Sequence, residues 1–322
     1  CNNFNQSITI SENTINCNGM FSNCRNFNLP ITIPDNVTEC SFMFKYSNFN
    51  QSITIPDNVV NCSEMFNNCY RLIEPITIGS NVVNCNGMFY NCQSFNQPVT
   101  IPANVTDCGY MFFGCSYYNR SVRIPSKVTI CDYMFCGTIL NQTVTIPDSV
   151  ISCNDMFRGC NKLNNPITIG NNVKYCTYMF INCNLFNQPV TIPANVTHCD
   201  GMFMNCTNLN RSITISSNAM YCNLMLNGCS NFNQPVTIPA NVVRCNAMFV
   251  DCGKFNQPIT IPDDVTNCGS MFGKCYLYNS SITIGSNVKI CDTMFKDCWN
   301  FSQPVTIPAS VDTIGAWAFC NG

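Results

Sequence analysis

The chain has 322 residues, 27 of them Cys and one His, with 10% charged residues and a formal net charge of -2. An ordinary globular chain is roughly a quarter charged, so this surface is built from neutral polar groups. The near balance of 15 Lys+Arg against 17 Asp+Glu gives no clustered basic face for nucleic acid, and no apolar run approaches the ~18 residues of a membrane span.

One phrase tiles the chain. The segment from Cys92 reads CQSFNQPVTIPANVTDCGYMFFG, and the one from Cys183 reads CNLFNQPVTIPANVTHCDGMFMN. The first cysteine of a CxxMF phrase recurs from Cys17 to Cys291 at 23-residue steps, with two steps of 22 (Cys40 to Cys62, Cys131 to Cys153). A period of this length marks a stacked-repeat architecture, in which each unit contacts only its neighbours. The expected fold is a repeat β-solenoid of about fourteen units, one continuous array over 1–322 with no second domain. No charged-then-apolar leader precedes the array, and the chain begins at Cys1 rather than Met. The array is read as part of a longer chain.

Each unit opens on the cysteine phrase. Cys108, Met111 and Phe112, with Val105 before them, form one inward-facing stretch. An aromatic or Leu follows (Phe95, Tyr118, Leu140, Leu163, Phe186). Next comes a short strand such as Pro98-Val99-Thr100-Ile101, in which Val and Ile point one way and Thr the other. Pro102, or Gly at 79, 170 and 285, ends the strand, and Asn, Asp or Ser makes the turn. Stacking aligns the outward Thr into a ladder (Thr54, Thr77, Thr100, Thr145, Thr168, Thr191). Beside it runs a row of Asn and Gln: Asn96 with Gln97, Asn187 with Gln188, Asn233 with Gln234. Side-chain amides that bond their neighbours one unit on account for this row. A binding face of neutral donors and acceptors is the alternative.

Most cysteines fall into two ladders. The first includes Cys85, Cys108, Cys176 and Cys199; the second, seven residues later, includes Cys92, Cys115, Cys183 and Cys206. Three readings compete. Disulfides are the expected use of so many cysteines in an oxidising compartment. A buried ladder of free thiols treats Cys as a small hydrophobe. Metal is the third, but structural zinc uses close pairs such as C-x₂₋₄-C, whereas the spacing here is C-x₆-C. The exceptions favour free thiols. Ile314 stands at a first-ladder site, the units at Cys40 and Cys131 lose the second cysteine with one loop residue, and an odd total leaves a thiol over. Cys136 and Cys320 fall outside both ladders. No metal site and no cofactor is expected.

The last unit, Val305-Thr306-Ile307-Pro308 through Val311, Ile314, Gly315, Ala318, Phe319 and Cys320, resembles the BspA-like leucine-rich repeat, LxxIxIPxxVTxIGxxAFxxC. The other units read CxxMF for IGxxAF and FNQPxTI for LxxIxI, wording similar to surface-protein repeats of bacterial lipoproteins and to FNIP repeats. The resemblance covers the whole chain. It implies a leucine-rich-repeat fold and adhesion or binding outside the cytoplasm, on a cell or virion surface.

No catalytic constellation emerges. His198 occupies a position held elsewhere by Glu39, Asp107, Ile130, Arg244 or Lys289, and Asp263-Asp264 is an isolated adjacent pair. Nucleophilic cysteine chemistry needs a base held beside the thiol. The candidate binding residues lie on the outward strand face: Gln97, Thr100, Arg120, Arg123, Gln142 and Thr145. Arg123 interrupts the Thr ladder in the unit that also carries Arg120 and Lys127. The expected activity is non-enzymatic recognition of a host or neighbouring-cell surface protein or glycan. The alternative is a fibre built by end-to-end self-association.

Overall fold

A computed structural model describes residues 3–319. They form two compact units, divided between residues 160 and 161. Strands, bridges and turns make up both, and no α-helix occurs among the described residues.

In the first unit lie β1 (Ile53–Thr54), β2 (Ile76–Thr77) and β3 (Val144–Thr145). In the second lie β4 (Ile167–Thr168), β5 (Val190–Thr191), β6 (Ile213–Thr214), β7 (Ile259–Thr260) and β8 (Ile282–Thr283). Pairing is parallel and in register by one repeat: Ile53 with Ile76, Val190 with Ile213, Ile259 with Ile282. The branched residue is inside and Thr outside in β1 to β7, as period-2 alternation requires. A second parallel ladder runs through the residue before each first cysteine. It joins Asn61, Asn84 and Asp107 in the first unit, and Tyr175, His198 and Tyr221 in the second.

The third ladder is a spiral of tight turns from the first cysteine to the aromatic. Met88, Tyr90 and Cys92 N–H donate three residues back, to Cys85, Gly87 and Phe89 carbonyls at 3.0 to 3.1 Å. The alternate amides donate to the next repeat: Gly87 to Gly109, Phe89 to Met111, Asn91 to Phe113, at 2.6 to 2.9 Å. Left-handed residues at two fixed positions per repeat set this alternation, as at Tyr110 and Gly114, or Leu224 and Gly228. The second position carries Asn, Gly or Asp in most repeats, residues that reach this region at low cost. The first carries Phe42, Tyr133, Leu224 and Thr293, which pay about 1–2 kcal/mol each. Neighbouring repeats over-determine the conformation through the ladder bonds.

The core sits between the spiral and the strands. The Phe of the MF pair stacks on its equivalent one repeat on. Phe66–Phe89 centroids are 5.7 Å apart, Phe112–Phe135 5.6 Å and Phe272–Phe295 5.5 Å, with interplanar angles of 1–6°. A second aromatic packs against many of them, as Phe95 against Phe89 at 4.4 Å and Phe255 against Phe249 at 4.3 Å, and Leu72, Leu140, Leu163 and Leu209 fill the same place elsewhere. Offset stacks of this kind add about 0.5–1.5 kcal/mol beyond area burial. Leu226 replaces one Phe and remains fully buried.

Candidate binding surface

The cysteines belong to the scaffold. Cys85, Cys92, Cys108, Cys115, Cys176, Cys183, Cys199 and Cys206 are fully buried, and every described cysteine carries a free thiol. Cys1 and Cys320 lie outside the described residues. The two ladders have different jobs. Second-ladder thiols donate to the Phe carbonyl of the preceding repeat: Cys92 to Phe66 and Cys115 to Phe89 at 2.9 Å, Cys206 to Phe180 at 3.1 Å, Cys275 to Phe249 at 2.9 Å. First-ladder thiols lie farther from any acceptor, Cys62 3.5 Å from Asn84 O and Cys268 3.7 Å from Ile290 O. Ile314, the apolar stand-in for that ladder, is 42% exposed in its own repeat, although the equivalent cysteines are buried.

Two repeats lack the second cysteine. Ser47 and Thr138 occupy its place, both buried. Thr138 Oγ1 donates to Phe135 O at 2.9 Å and lies 3.3 Å from Cys160 Sγ; Ser47 Oγ lies 3.5 Å from Cys69 Sγ. A hydroxyl takes the thiol's place, with Thr138 bonding within its own repeat rather than to the preceding one, and the following loop shortens by one residue. Burial pushes the thiols of Cys69, Cys160 and Cys268 up to about 12, which keeps them protonated and poor nucleophiles.

The outward strand face is flatter and more self-occupied than the sequence suggests. Thr100, Arg123 and Thr145 are exposed along one row. Gln97 Nε2, however, donates to Ile73 O at 2.6 Å, Gln142 Nε2 to Asn119 Oδ1 at 3.2 Å, and Arg120 Nε to Asn96 O at 2.9 Å. Those three side chains tie one repeat to the last. Lys127 likewise donates to Asn104 Oδ1 at 2.8 Å.

The neighbouring Asn row is a ladder in which each Oδ1 receives a backbone N–H of the next repeat and, in several repeats, the side-chain amide of that repeat's Gln as well. Asn187, Asn210, Asn233 and Asn256 each accept, on Oδ1, the N–H of the equivalent residue one repeat on, at 2.8 to 2.9 Å. Ile73 breaks the row; its N–H is received by Asn50 Oδ1 at 2.8 Å, but it offers no side-chain acceptor in turn.

His198 sits between Tyr175 and Tyr221, ring centroids 5.2 and 4.9 Å away, with Nδ1 2.9 Å from Thr197 Oγ1. No nucleophile faces it in that contact set. Among the described residues, no group of three His, Cys, Asp or Glu converges on a metal-sized space. No helix of the described residues is long and apolar enough to cross a membrane.

The concave features, one on the spiral side and one at the turns before the first cysteines, were missed by sequence reasoning. In the first unit a groove of about 380 Å³ is bordered by Tyr46, Glu64, Asn68, Gly87, Tyr90 and Tyr110. It continues past Tyr46 and Asn68 toward Arg25 and Tyr70. In the second unit a shallower hollow of about 530 Å³ lies among Asn195, Thr197, Met220 and Val243. A polar groove with exposed tyrosines suits a small uncharged ligand or a polar loop.

The repeat pattern matches a known family model. The BspA-type leucine-rich-repeat region matches residues 1–119 and 83–210, together 1–210 and more than half of the 322 residues. The chain belongs to the BspA-type leucine-rich-repeat family. A second model, a Mycoplasma protein family of unknown function, matches residues 193–284 and 216–308 of this BspA-type chain. Among solved structures it is similar to a leucine-rich cell surface protein from Faecalibacterium prausnitzii A2-165. Identity is 24%, the match covers 83% of this chain and 82% of that one, and the TM-score is 0.49. No curated protein matches.

Proposed function

We propose that this BspA-type chain is a non-enzymatic recognition module, displayed outside the cell, that binds polar protein or glycan ligands through repeated weak contacts. One observation carries the reading. Inward positions barely change from repeat to repeat, whereas two rows beside the constant Thr and Asn ladders change freely. The site before the first cysteine holds Asn61, Asn84, Asp107, Ile130 and Ser152, and the first left-handed site holds Phe42, Glu64, Gly87, Tyr110 and Leu224. A fixed core with free outward positions is a display scaffold, and function lives in sites grafted on such a fold. Buried, protonated thiols and an isolated His support the absence of catalysis. Linked weak sites gain apparent affinity from multivalency without new contacts.

The test is surface plasmon resonance against immobilised glycans and extracellular-matrix proteins at several densities. Binding that strengthens with ligand density is expected. No binding to any of them at high micromolar protein overturns the reading.

A further inference from the structure

We propose that the notch over Gly87 is a binding site for an uncharged pyranose. The inference rests on the recognition reading and narrows it to one site and one ligand class. Along the ladder of first left-handed positions, Gly87 stands between Glu64 and Tyr110. The missing side chain leaves the groove open toward Tyr110, while Glu64 bounds it on the other side, its Cγ 3.1 Å from where a Cβ of residue 87 would stand.

The walls have the right chemistry. Tyr110 is 37% exposed and backed by Tyr133, centroids 4.8 Å apart and 9° from parallel. Its ring is therefore stiff, with its other face bordering the notch. Tyr90 beside it is braced by Phe113 at 4.6 Å. Flat, rigid aromatic faces receive the C–H face of a pyranose at little entropic cost. Glu64 opposite uses Oε2 for Lys45 and for Asn67 Nδ2, which leaves its second oxygen to accept a sugar hydroxyl. Buried Asn68 lines the same space, held by Tyr70 Oη at 2.7 Å and by Asn91 Nδ2 at 3.2 Å.

The charge balance selects an uncharged ring. The cation nearest the notch, Lys45, is paired with Glu64 and lies 5.0 and 5.5 Å from the Phe42 and Tyr46 ring centroids. An anionic sugar or phosphate would meet the Glu64 carboxylate with no Lys or Arg among the residues that line the notch to offset it. The second unit supplies the contrast. The equivalent Gly201 is covered by the Tyr178 ring, 2.3 Å from where a Cβ would stand. Glycine alone does not open a notch; at Gly87 the residue one repeat before is Glu64, whose Cγ stays 3.1 Å from the Cβ position and covers it less than Tyr178 covers Gly201.

The experiment uses the whole chain and saturation-transfer NMR with glucose, galactose, mannose and N-acetylglucosamine, followed by titration of any binder. Two variants accompany it. Gly87→Asn fills the notch, and Asn accepts the left-handed backbone of that site; Tyr110→Ser removes the platform. Denaturation midpoints identify any variant that fails to fold, and Asn86→Ser serves as a second rim variant in that case. The proposal expects at least one sugar to bind the native chain, with affinity falling about tenfold or more in Gly87→Asn, the loss of one stacked contact. Sugar binding unchanged in both variants overturns the notch and leaves recognition standing. Protein ligands bound with no sugar bound does the same. Absence of every ligand overturns both.

Discussion

The assignment of separate jobs to the two cysteine ladders predicts an inverted preference within one repeat. Cys275 Sγ lies 2.9 Å from Phe249 O, short for a thiol donor and ordinary for a hydroxyl. Cys268 Sγ lies 3.7 Å from Ile290 O, beyond the reach of a hydroxyl. Both are fully buried. Truncation to Ala removes a sulfur worth about 0.8 kcal/mol of transfer and leaves a small void costing about 0.6 kcal/mol, so about 1.4 kcal/mol at either site. Cys275→Ser keeps a donor on the same carbonyl and costs under about 1 kcal/mol. Cys268→Ser buries an unpaired hydroxyl and costs about 2–3 kcal/mol. Ser is therefore milder than Ala at 275 and harsher at 268. If a disulfide joined the two, all four variants would lose a similar cross-link term, about 2.5 kcal/mol for so short a loop. The assay is urea denaturation in degassed buffer without reductant, where 1 kcal/mol moves the midpoint by about 0.3 M for an m-value near 3 kcal/mol/M. Equal losses for Ser and Ala at both sites, or Ser harsher at 275, would refute the reasoning.

Three further outcomes follow from the same geometry. Asn233→Ala removes the acceptor of Asn256 N–H and of Gln257 Nε2, and a loss of about 1 kcal/mol is expected, with faster hydrogen exchange at Asn256; unchanged exchange there would count against the Asn ladder. Ala247→Gly, at φ 54°, should be neutral or stabilise by up to about 1 kcal/mol because it relieves a left-handed alanine; a clear midpoint decrease would contradict the turn-spiral geometry. Buried thiols at about 12 (Cys69, Cys160, Cys268) keep protons that the unfolded chain releases from about pH 9 upward. Their stabilising contribution is complete below about pH 9 and is lost as pH rises toward about 12, so midpoints should fall steadily above pH 9; a flat profile from pH 8 to 11 would refute it.

The period, the inward Val, Ile, Met and Phe and the outward Thr were legible in the sequence because one side-chain type recurs at each register. The donor role of the second cysteine was half legible. Ser47 and Thr138 look like losses until their hydroxyls are placed beside Cys69 and Cys160. The turn spiral left a trace at its second left-handed site, where Asn and Gly dominate, but none at the first, where Phe42 and Leu224 are held by neighbours rather than by preference. The candidate site was the least legible part. Gln97, Arg120 and Gln142 are polar and outward in register, yet each spends its donor on the repeat beneath it. The groove over Gly87 depends on a side chain that is missing and on which way Tyr110 stacks, and neither has a local sequence signal.

The claim that these cysteines are packing donors rather than cross-links is tested most directly by counting thiols. The purified chain, denatured with chelator and without reductant, should titrate close to all 27 cysteines. A count near one would mean that the ladders are oxidised and that disulfides, not stacked thiols and hydroxyls, hold the repeats.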